Sequence, residues 1–178
     1  MVEYKIGDKV VYPNHGVGTI EQVSFSYLNG RSERCFMLRI STNGLRVMIP
    51  ETNAHTVGLR RVISGTEARK VMGFLENNQH SGNSHVDWKH RFKENSERMR
   101  TGELLDVAAV LKSLLALSRA KPLSFREKKM LERAKFLLVS ELATAQRSSE
   151  SKVETDVVRA LAKAKLQFPE IGVTAAAE

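Results

Sequence analysis

Hydrophobic and polar residues alternate in short runs along the first third of the chain. The run KVVYPNHGVGTIEQV is interrupted by the turn residues Pro13 and Gly16, and Asn29-Gly30 separates two further runs. Asn-Gly between alternating runs is typical of a tight hairpin, because both turn residues need positive φ. With a second turn at Asn43-Gly44, the pattern predicts a small, strongly bent antiparallel sheet or barrel. Its strands are expected at residues 8–13, 17–28, 32–41, 45–49 and 59–62.

From residue 64 onward the apolar residues recur every three or four positions, which is the period of a helix. Ser64 with Glu67, and Ser124 with Glu127, have the spacing of capping boxes at two helix starts. The widest apolar stripe lies in ELLDVAAVLKSLLALSRA, at positions 104, 107, 108, 111, 114 and 115. A buried helix is therefore expected there.

The connections between these helices are also visible in the sequence. The polar segment 78–87 predicts a loop, and Asp87 is a candidate cap for a helix that begins at Trp88. The segment SKVETDVVRALAKAKLQF predicts a last, weaker helix. The tail at 169–178 is expected to be disordered.

The charge balance narrows the class of partner. The chain has 28 Lys and Arg residues against 20 Asp and Glu, a formal net charge of +8, which favours a polyanion or an acidic surface as partner. With one cysteine no intrachain disulfide can form. The start MVEYKIGDKVV has no apolar signal region, and no apolar run approaches the ~18 residues of a membrane span. We therefore expect a cytoplasmic protein.

None of the common catalytic or metal-binding motifs occurs in the sequence. It has no GxxxxGK[ST], GxSxG, HExxH or CxxC. His80, His85 and His90 recur every five residues, which does not place them on one helical face. Cys35 lies in a predicted strand and is expected to be a small buried hydrophobe. We therefore predict that the protein is not an enzyme and has no catalytic residues, no metal and no cofactor.

The only tryptophan, Trp88, is followed within five residues by three cations, Lys89, Arg91 and Lys93. Its spacing to Phe92 and Met99 favours an ordinary core stripe, and the cations alone would be typical of a solvated helix face. A side chain in the first turn, however, leans beyond the helix end, so the indole can project. Cations that bind phosphates and an apolar wedge that unstacks bases occur together in minor-groove binding.

A second group of cations, Arg126, Lys128 and Lys129, follows the predicted cap Ser124. Cations at the positive end of a helix dipole cost stability, about a few tenths of a kcal/mol each. The outward-directed amides of that first turn favour phosphate. An anionic ligand would therefore offset the unfavourable placement of the three cations.

Six segments, in order along the chain, have the pattern of a known family. They are GDKVVYPNHGVG (7–18), NGLRVMIP (43–50), VGLRRVIS (57–64), DWKHRFKEN (87–95), TGELLDVAAVLKSL (101–114) and LSFREKKMLERAKFLLVSELA (123–143). With these segments the chain resembles the CarD/CdnL transcription regulators of bacteria. The resemblance implies a small Tudor-like barrel that binds the RNA polymerase β subunit. It also implies a helical domain that contacts promoter DNA at the upstream edge of the transcription bubble and stabilises the open complex.

The resemblance also implies roles for individual residues. The family's minor-groove wedge corresponds to Trp88, and its basic contacts correspond to Lys89, Arg91 and Lys93 and, in the second cluster, to Lys128 and Lys129. The polymerase-binding patch corresponds to Arg46, Met48 and Pro50. A proline that ends this strand suits a sheet edge, since it donates no ladder bond, although a plain barrel strand has the same pattern.

Together these observations predict an α+β protein of two domains. Residues 1–63 would form the small Tudor-like antiparallel β-barrel, and residues 64–168 a compact all-α domain that binds DNA through shape and phosphates without reading bases. The main alternative is a free-standing, non-specific DNA-binding protein with no polymerase partner. A membrane-surface protein would have a basic amphipathic helix, which residues 88–100 resemble loosely, but the barrel would then have no role.

Overall fold

The structure, a computed structural model, describes residues 3–28, 30–78 and 88–169 of the 178-residue chain. Outside these ranges lie the predicted turn residue Asn29, most of the predicted loop 78–87 with its cap Asp87, and nearly all of the predicted disordered tail.

The first part of the chain forms five antiparallel strands, as predicted. They are β1 (Lys9–Tyr12), β2 (Gly16–Leu28), β3 (Arg31–Ile40), β4 (Arg46–Pro50) and β5 (Arg60–Arg61). The order across the sheet is β4-β3-β2-β1-β5, so β4 and β5 form its two edges. The sheet is therefore open, and the expected closure into a barrel is not formed by hydrogen bonds between the described strands.

Local features account for the shape of the sheet. Gly44 has φ +68° in the predicted Asn43-Gly44 turn, where an L side chain would be strained. The register between β2 and β3 shifts at Glu21, and such a bulge bends the strand and increases its twist. The apolar residues of the concave face, with Phe36, Ile20 and Leu38 fully buried, form one core together with Tyr4. A short helix that the sequence pattern did not indicate, α1 (Glu51–Ala54), follows β4 directly.

Five further helices follow the sheet. They are α2 (Gly65–Glu76), α3 (Trp88–Thr101), α4 (Leu104–Ala120), α5 (Phe125–Gln146) and α6 (Glu150–Lys163). Both predicted capping boxes are confirmed, since the hydroxyls of Ser64 and Ser124 accept from the amides of Glu67 and Glu127 and the glutamates accept in return. The two helix starts were thus encoded within four residues each.

The helices enclose a second core, built on the predicted stripe of α4. All six apolar positions of that stripe are buried. Lys112, on the same helix, is buried as well, which its charge did not suggest. Its ammonium donates to the carbonyl oxygens of Phe74 (2.7 Å) and Asn77 (2.5 Å) at the end of α2. A cation there satisfies carbonyls that a helix end leaves unpaired, while burial lowers the pKa of Lys112.

The sheet and the helices are joined by a buried ion pair. The guanidinium of Arg60, on β5, contacts both carboxylate oxygens of Glu141, on α5, at 2.5 and 2.8 Å. Glu141 also accepts from the amide of Ile63 at 3.1 Å. The Arg60 Nε donates to the carbonyl of Gly102, between α3 and α4, at 3.0 Å. These bonds set the position of the helices relative to the sheet.

Pro13, in the β1–β2 turn, packs against the same junction. A Cβ added to Gly102 would lie 2.9 Å from its Cγ, and Gly102 has φ +75°. Only glycine satisfies both the backbone conformation and the close approach. The turn is also held by Arg133, on α5, whose guanidinium donates to the Asn14 carbonyl.

Candidate functional site

Trp88 is the first residue of α3, and 47% of its surface is exposed. The core position that its spacing to Met99 favoured is therefore occupied by Met99, which is buried, but not by the indole. The Lys89 Nζ lies 6.0 Å from the centre of the indole ring, and Lys93 is exposed one turn further along. The start of α3 thus presents an aromatic face with cations beside it.

Arg91 has a different position from the other predicted phosphate contacts. It is 6% exposed, and its Nη2 lies 3.2 Å from Oε1 of Glu127, itself buried in the first turn of α5. Because this guanidinium is directed into the protein, the phosphate contact expected of Arg91 has to be corrected: in this structure it joins α3 to α5. Sequence spacing alone could not separate it from Lys89 and Lys93, since all three lie in the same two turns.

Glu127 therefore has two functions in the fold, as capping residue and as partner of Arg91. Burial by itself would raise its pKa. The backbone and side-chain hydrogen bonds with Ser124, and then the bond and charge of Arg91, outweigh that effect and hold the pKa of Glu127 below its ordinary value. Its carboxylate is ionised wherever the protein is folded near neutral pH.

The start of α5 resembles that of α3. Phe125 is its first residue and 71% exposed, and the Lys129 Nζ lies 4.6 Å from its ring centre. Arg126 and Lys128 are exposed beside it, as predicted for a basic cluster. Phe125 was not singled out in the sequence, although one signal was present: an aromatic residue directly after a helix cap with a lysine four positions later, where their side chains meet.

The Arg91–Glu127 ion pair brings these two helix starts together. All the exposed residues concerned lie within one helical turn of the pair along their own helix. We call them the helix-start surface: Trp88, Lys89, Lys93, Phe125, Arg126, Lys128 and Lys129. Among the described residues, no carboxylate lies within the 4.0 Å of an ion pair from any of its five cations. This surface can bind an extended anion and stack on planar groups.

The other predicted site lies on the edge strand β4. Met48 is 46% exposed, and its neighbour across the ladder is Met37 on β3. Arg46 is exposed, but its Nε lies 3.0 Å from Glu21, whose carboxylate also binds Arg39 at 3.2 Å. Pro50 is half-buried at the end of the strand. The edge therefore offers free backbone on one side and a methionine pair on its face.

The remaining candidate chemistry has no site in the described part of the chain. Cys35 is buried, as expected of a small hydrophobe. The described residues contain no group of three or more metal-ligating side chains. No helix within the described ranges is long and apolar enough to cross a bilayer.

Comparison with known proteins agrees with this division of the chain. Residues 70–163 match the sequence model of the CarD C-terminal domain, and residues 4–63 match that of the CarD-like/TRCF RID domain. The chain belongs to the CarD family. That family consists of transcription factors, which in general are not enzymes.

Two individual relatives extend the comparison. YdeB of Bacillus subtilis strain 168, whose name describes it provisionally as a transcription factor, is 29% identical over 152 residues, which are 85% of this chain and 98% of that protein. A solved structure, CdnLNt from Myxococcus xanthus, is 41% identical and covers 36% of this chain and 90% of its own, with a TM-score of 0.30.

Proposed function

We propose that this CarD-family transcription factor binds two partners at once: the β subunit of RNA polymerase through its sheet, and promoter DNA through its helices. The observation that carries the DNA half is the half-exposed Trp88 at the start of α3, among cations that have no carboxylate partner in the described chain. The functional units would be residues 1–63 and 64–168. Bound in this way, the protein would be cytoplasmic and associated with the nucleoid through polymerase.

The polymerase half rests on β4. An open edge strand can add a strand of a partner through backbone hydrogen bonds, and side chains on its face then give specificity. Arg46, Met48 and Pro50 lie on this strand, in the region that matches the RID domain. Since the Arg46 guanidinium is already paired with Glu21, the contact would be more apolar than its charge suggests, with Met48 near its centre.

The DNA half rests on the helix-start surface. Its cations would contact phosphates, and the indole of Trp88 would enter the minor groove where base pairs are already distorted. Phosphates and groove shape carry little base identity, so we expect no base-specific readout. The upstream edge of the transcription bubble offers such a distorted step.

Two weak contacts can act together as a strong one. Non-specific duplex binding by a basic domain has a Kd of roughly 10⁻⁴–10⁻⁶ M at physiological salt, too weak to occupy a promoter alone. Attachment to polymerase would raise the local concentration to the order of mM. If the helices bind the opened fork more tightly than closed duplex, the open complex is stabilised by that difference. A difference of about 1.4 kcal/mol would shift the open-to-closed ratio tenfold.

The lifetime of the open complex tests the DNA half. In Trp88→Ala we expect the increase in lifetime that the protein produces to fall at least about tenfold, while binding to polymerase in a pull-down remains unchanged. Lys152→Ala, at an exposed position on α6, serves as the control and should behave like the parent protein. Equal lifetimes for Trp88→Ala and the parent would exclude the wedge.

A second variant tests the polymerase half. Met48→Arg should weaken the pull-down, because it introduces an unpaired charge beside Arg46 at the centre of an apolar contact. Affinity for free duplex should stay the same, since β4 lies outside the helices. An unchanged pull-down would exclude β4 as the docking strand. It would then support the alternative of a free-standing DNA-binding protein if duplex binding alone proved tight and strongly salt-dependent.

A further inference from the structure

A groove of about 450 Å³ lies between α3 and α5, continuing from the helix-start surface toward the sheet. Its walls carry four cations: Arg100 from α3, and Arg126, Lys129 and Arg133 from α5. The three on α5 are spaced by three and four residues and so follow one face of that helix. No carboxylate belongs to the lining. The groove is thus a basic channel with positive charge on both sides.

The remaining lining of the groove is largely apolar. It includes Phe92 and Met130, both half-buried, and the buried Met99. Asn14, in the β1–β2 turn, closes the end nearest the sheet. From Trp88 to Arg100 the helix rises on the order of 18 Å, at 1.5 Å per residue. That length corresponds to about five nucleotides at the 3.4 Å spacing of a stacked strand.

This combination is not what a duplex needs. A duplex presents phosphates to a concave surface and keeps its bases stacked inside, so the aromatic and thioether groups of the lining would have no partner. An unpaired strand exposes both phosphates and base faces. Proteins that bind single strands combine a basic groove with aromatic side chains on which bases stack. Phe92 inside the groove, and Trp88 and Phe125 at its outer end, supply such side chains.

We propose that this groove binds single-stranded DNA, and that it holds part of the strand that becomes unpaired beside Trp88 when the promoter opens. The inference rests on the proposed function and deepens it, because it assigns a nucleic-acid form and a path. Arg100 and Arg133, outside the helix-start surface, become phosphate contacts. Preference for an unpaired strand is also the physical source of the preference for the open complex.

Fluorescence anisotropy of the full chain with two labelled probes, a dT12 oligonucleotide and a 12-base-pair duplex, tests the proposal. Arg100→Glu should weaken dT12 binding by about tenfold or more, as expected when a charged contact is lost. The salt slope of dT12 binding should decrease by about 0.7. Duplex affinity should change by less than about threefold, since Arg100 lies ~18 Å along α3 from Trp88. An excess of dTMP should not compete with dT12.

The matched control is Lys152→Glu, which makes the same change of charge at an exposed position of α6. It should change the affinity for each probe by less than about twofold, as expected for a distant exposed charge. Arg100→Ala, with a smaller effect in the same direction, guards against misfolding of the reversal variant. Unchanged dT12 binding in both Arg100 variants, an equal loss for duplex and dT12, or displacement by dTMP would each overturn the groove assignment.

These outcomes are separable from failure of the proposed function. If Trp88→Ala shortens the open complex while the Arg100 variants bind dT12 normally, the groove is not the path of the strand, but the wedge remains. If the parent protein binds neither probe and Trp88→Ala leaves the open complex unchanged, both proposals fail.

Discussion

The sheet and the helices use their charges in opposite ways. In the sheet, cations are paired at the surface, as with Arg39 and Arg46 at Glu21, and Arg61 at Asp8. In the helices, the glutamates Glu127 and Glu141 are buried, each with an arginine. The cations of the helix-start surface are left without carboxylate partners among the described residues.

This difference shows that net charge alone does not locate a binding surface. The helical part has its free positive charge where it does because two of its carboxylates act as internal joints. One joint, Arg91–Glu127, brings two aromatic helix starts together, and the other, Arg60–Glu141, sets the helices against the sheet. Surface pairs of the sheet contribute little to stability, whereas removal of one partner of a buried pair is costly.

The largest effect is expected from breaking the joint between the two regions. Glu141→Ala should lower the free energy of unfolding by about 3–5 kcal/mol, because it leaves the Arg60 guanidinium and the Ile63 amide without their buried acceptor. Urea denaturation measures it. Glu76→Ala, which removes an exposed pair with Lys163, should cost less than about 1 kcal/mol. A loss for Glu141→Ala as small as that of Glu76→Ala would contradict the role of the joint.

The next largest effect should separate Arg91 from Lys93. Arg91→Ala should destabilise the protein by about 3 kcal/mol, because Glu127 would remain buried without its cation. Lys93→Ala should change stability by less than about 0.5 kcal/mol but weaken duplex binding and reduce its salt slope by about 0.9. If Arg91→Ala were stable and lost only DNA affinity, the buried assignment of Arg91 would be wrong.

Acid should reveal the second joint. The pKa of Glu127 is lowered in the folded protein, so its contribution to stability is complete above the unfolded pKa of about 4.3 and is lost as pH falls through the lower folded value. In Glu127→Gln the decrease of the unfolding free energy between pH 5 and more acidic conditions should therefore be smaller than in the parent. Denaturant titrations over that pH range measure the two slopes, and identical slopes would refute this linkage.

The smallest effect is expected at the surface of the sheet. Arg46→Ala removes one of two exposed partners of Glu21 and should change stability by at most about 1 kcal/mol. Denaturation in 1 M salt should show even less difference from the parent, because salt screens exposed pairs. A cost above 2 kcal/mol would mean that sheet and helices do not differ in the way described.

Elements that depend on neighbours in sequence could be predicted. The strand ranges, both capping boxes and the α4 stripe follow from alternation, helical period and the reach of a serine to an amide three residues away. The family pattern likewise indicated where the candidate surfaces lie. Trp88 was correctly expected at the beginning of a helix, although its spacing to Phe92 and Met99 equally favoured a core position.

What the tertiary structure decided is which side chain faces which way and what meets across the chain. Arg91 and Lys93 are two residues apart on one helix, yet only packing against α5 turns one inward and leaves the other in solvent. Arg60 meets Glu141 across 81 positions, and Phe125 joins Trp88 through a contact between two distant helix starts. Local energies along a chain are set by composition and spacing. Burial and pairing of charges depend on the surroundings that distant segments create, so they could be known only from the folded molecule.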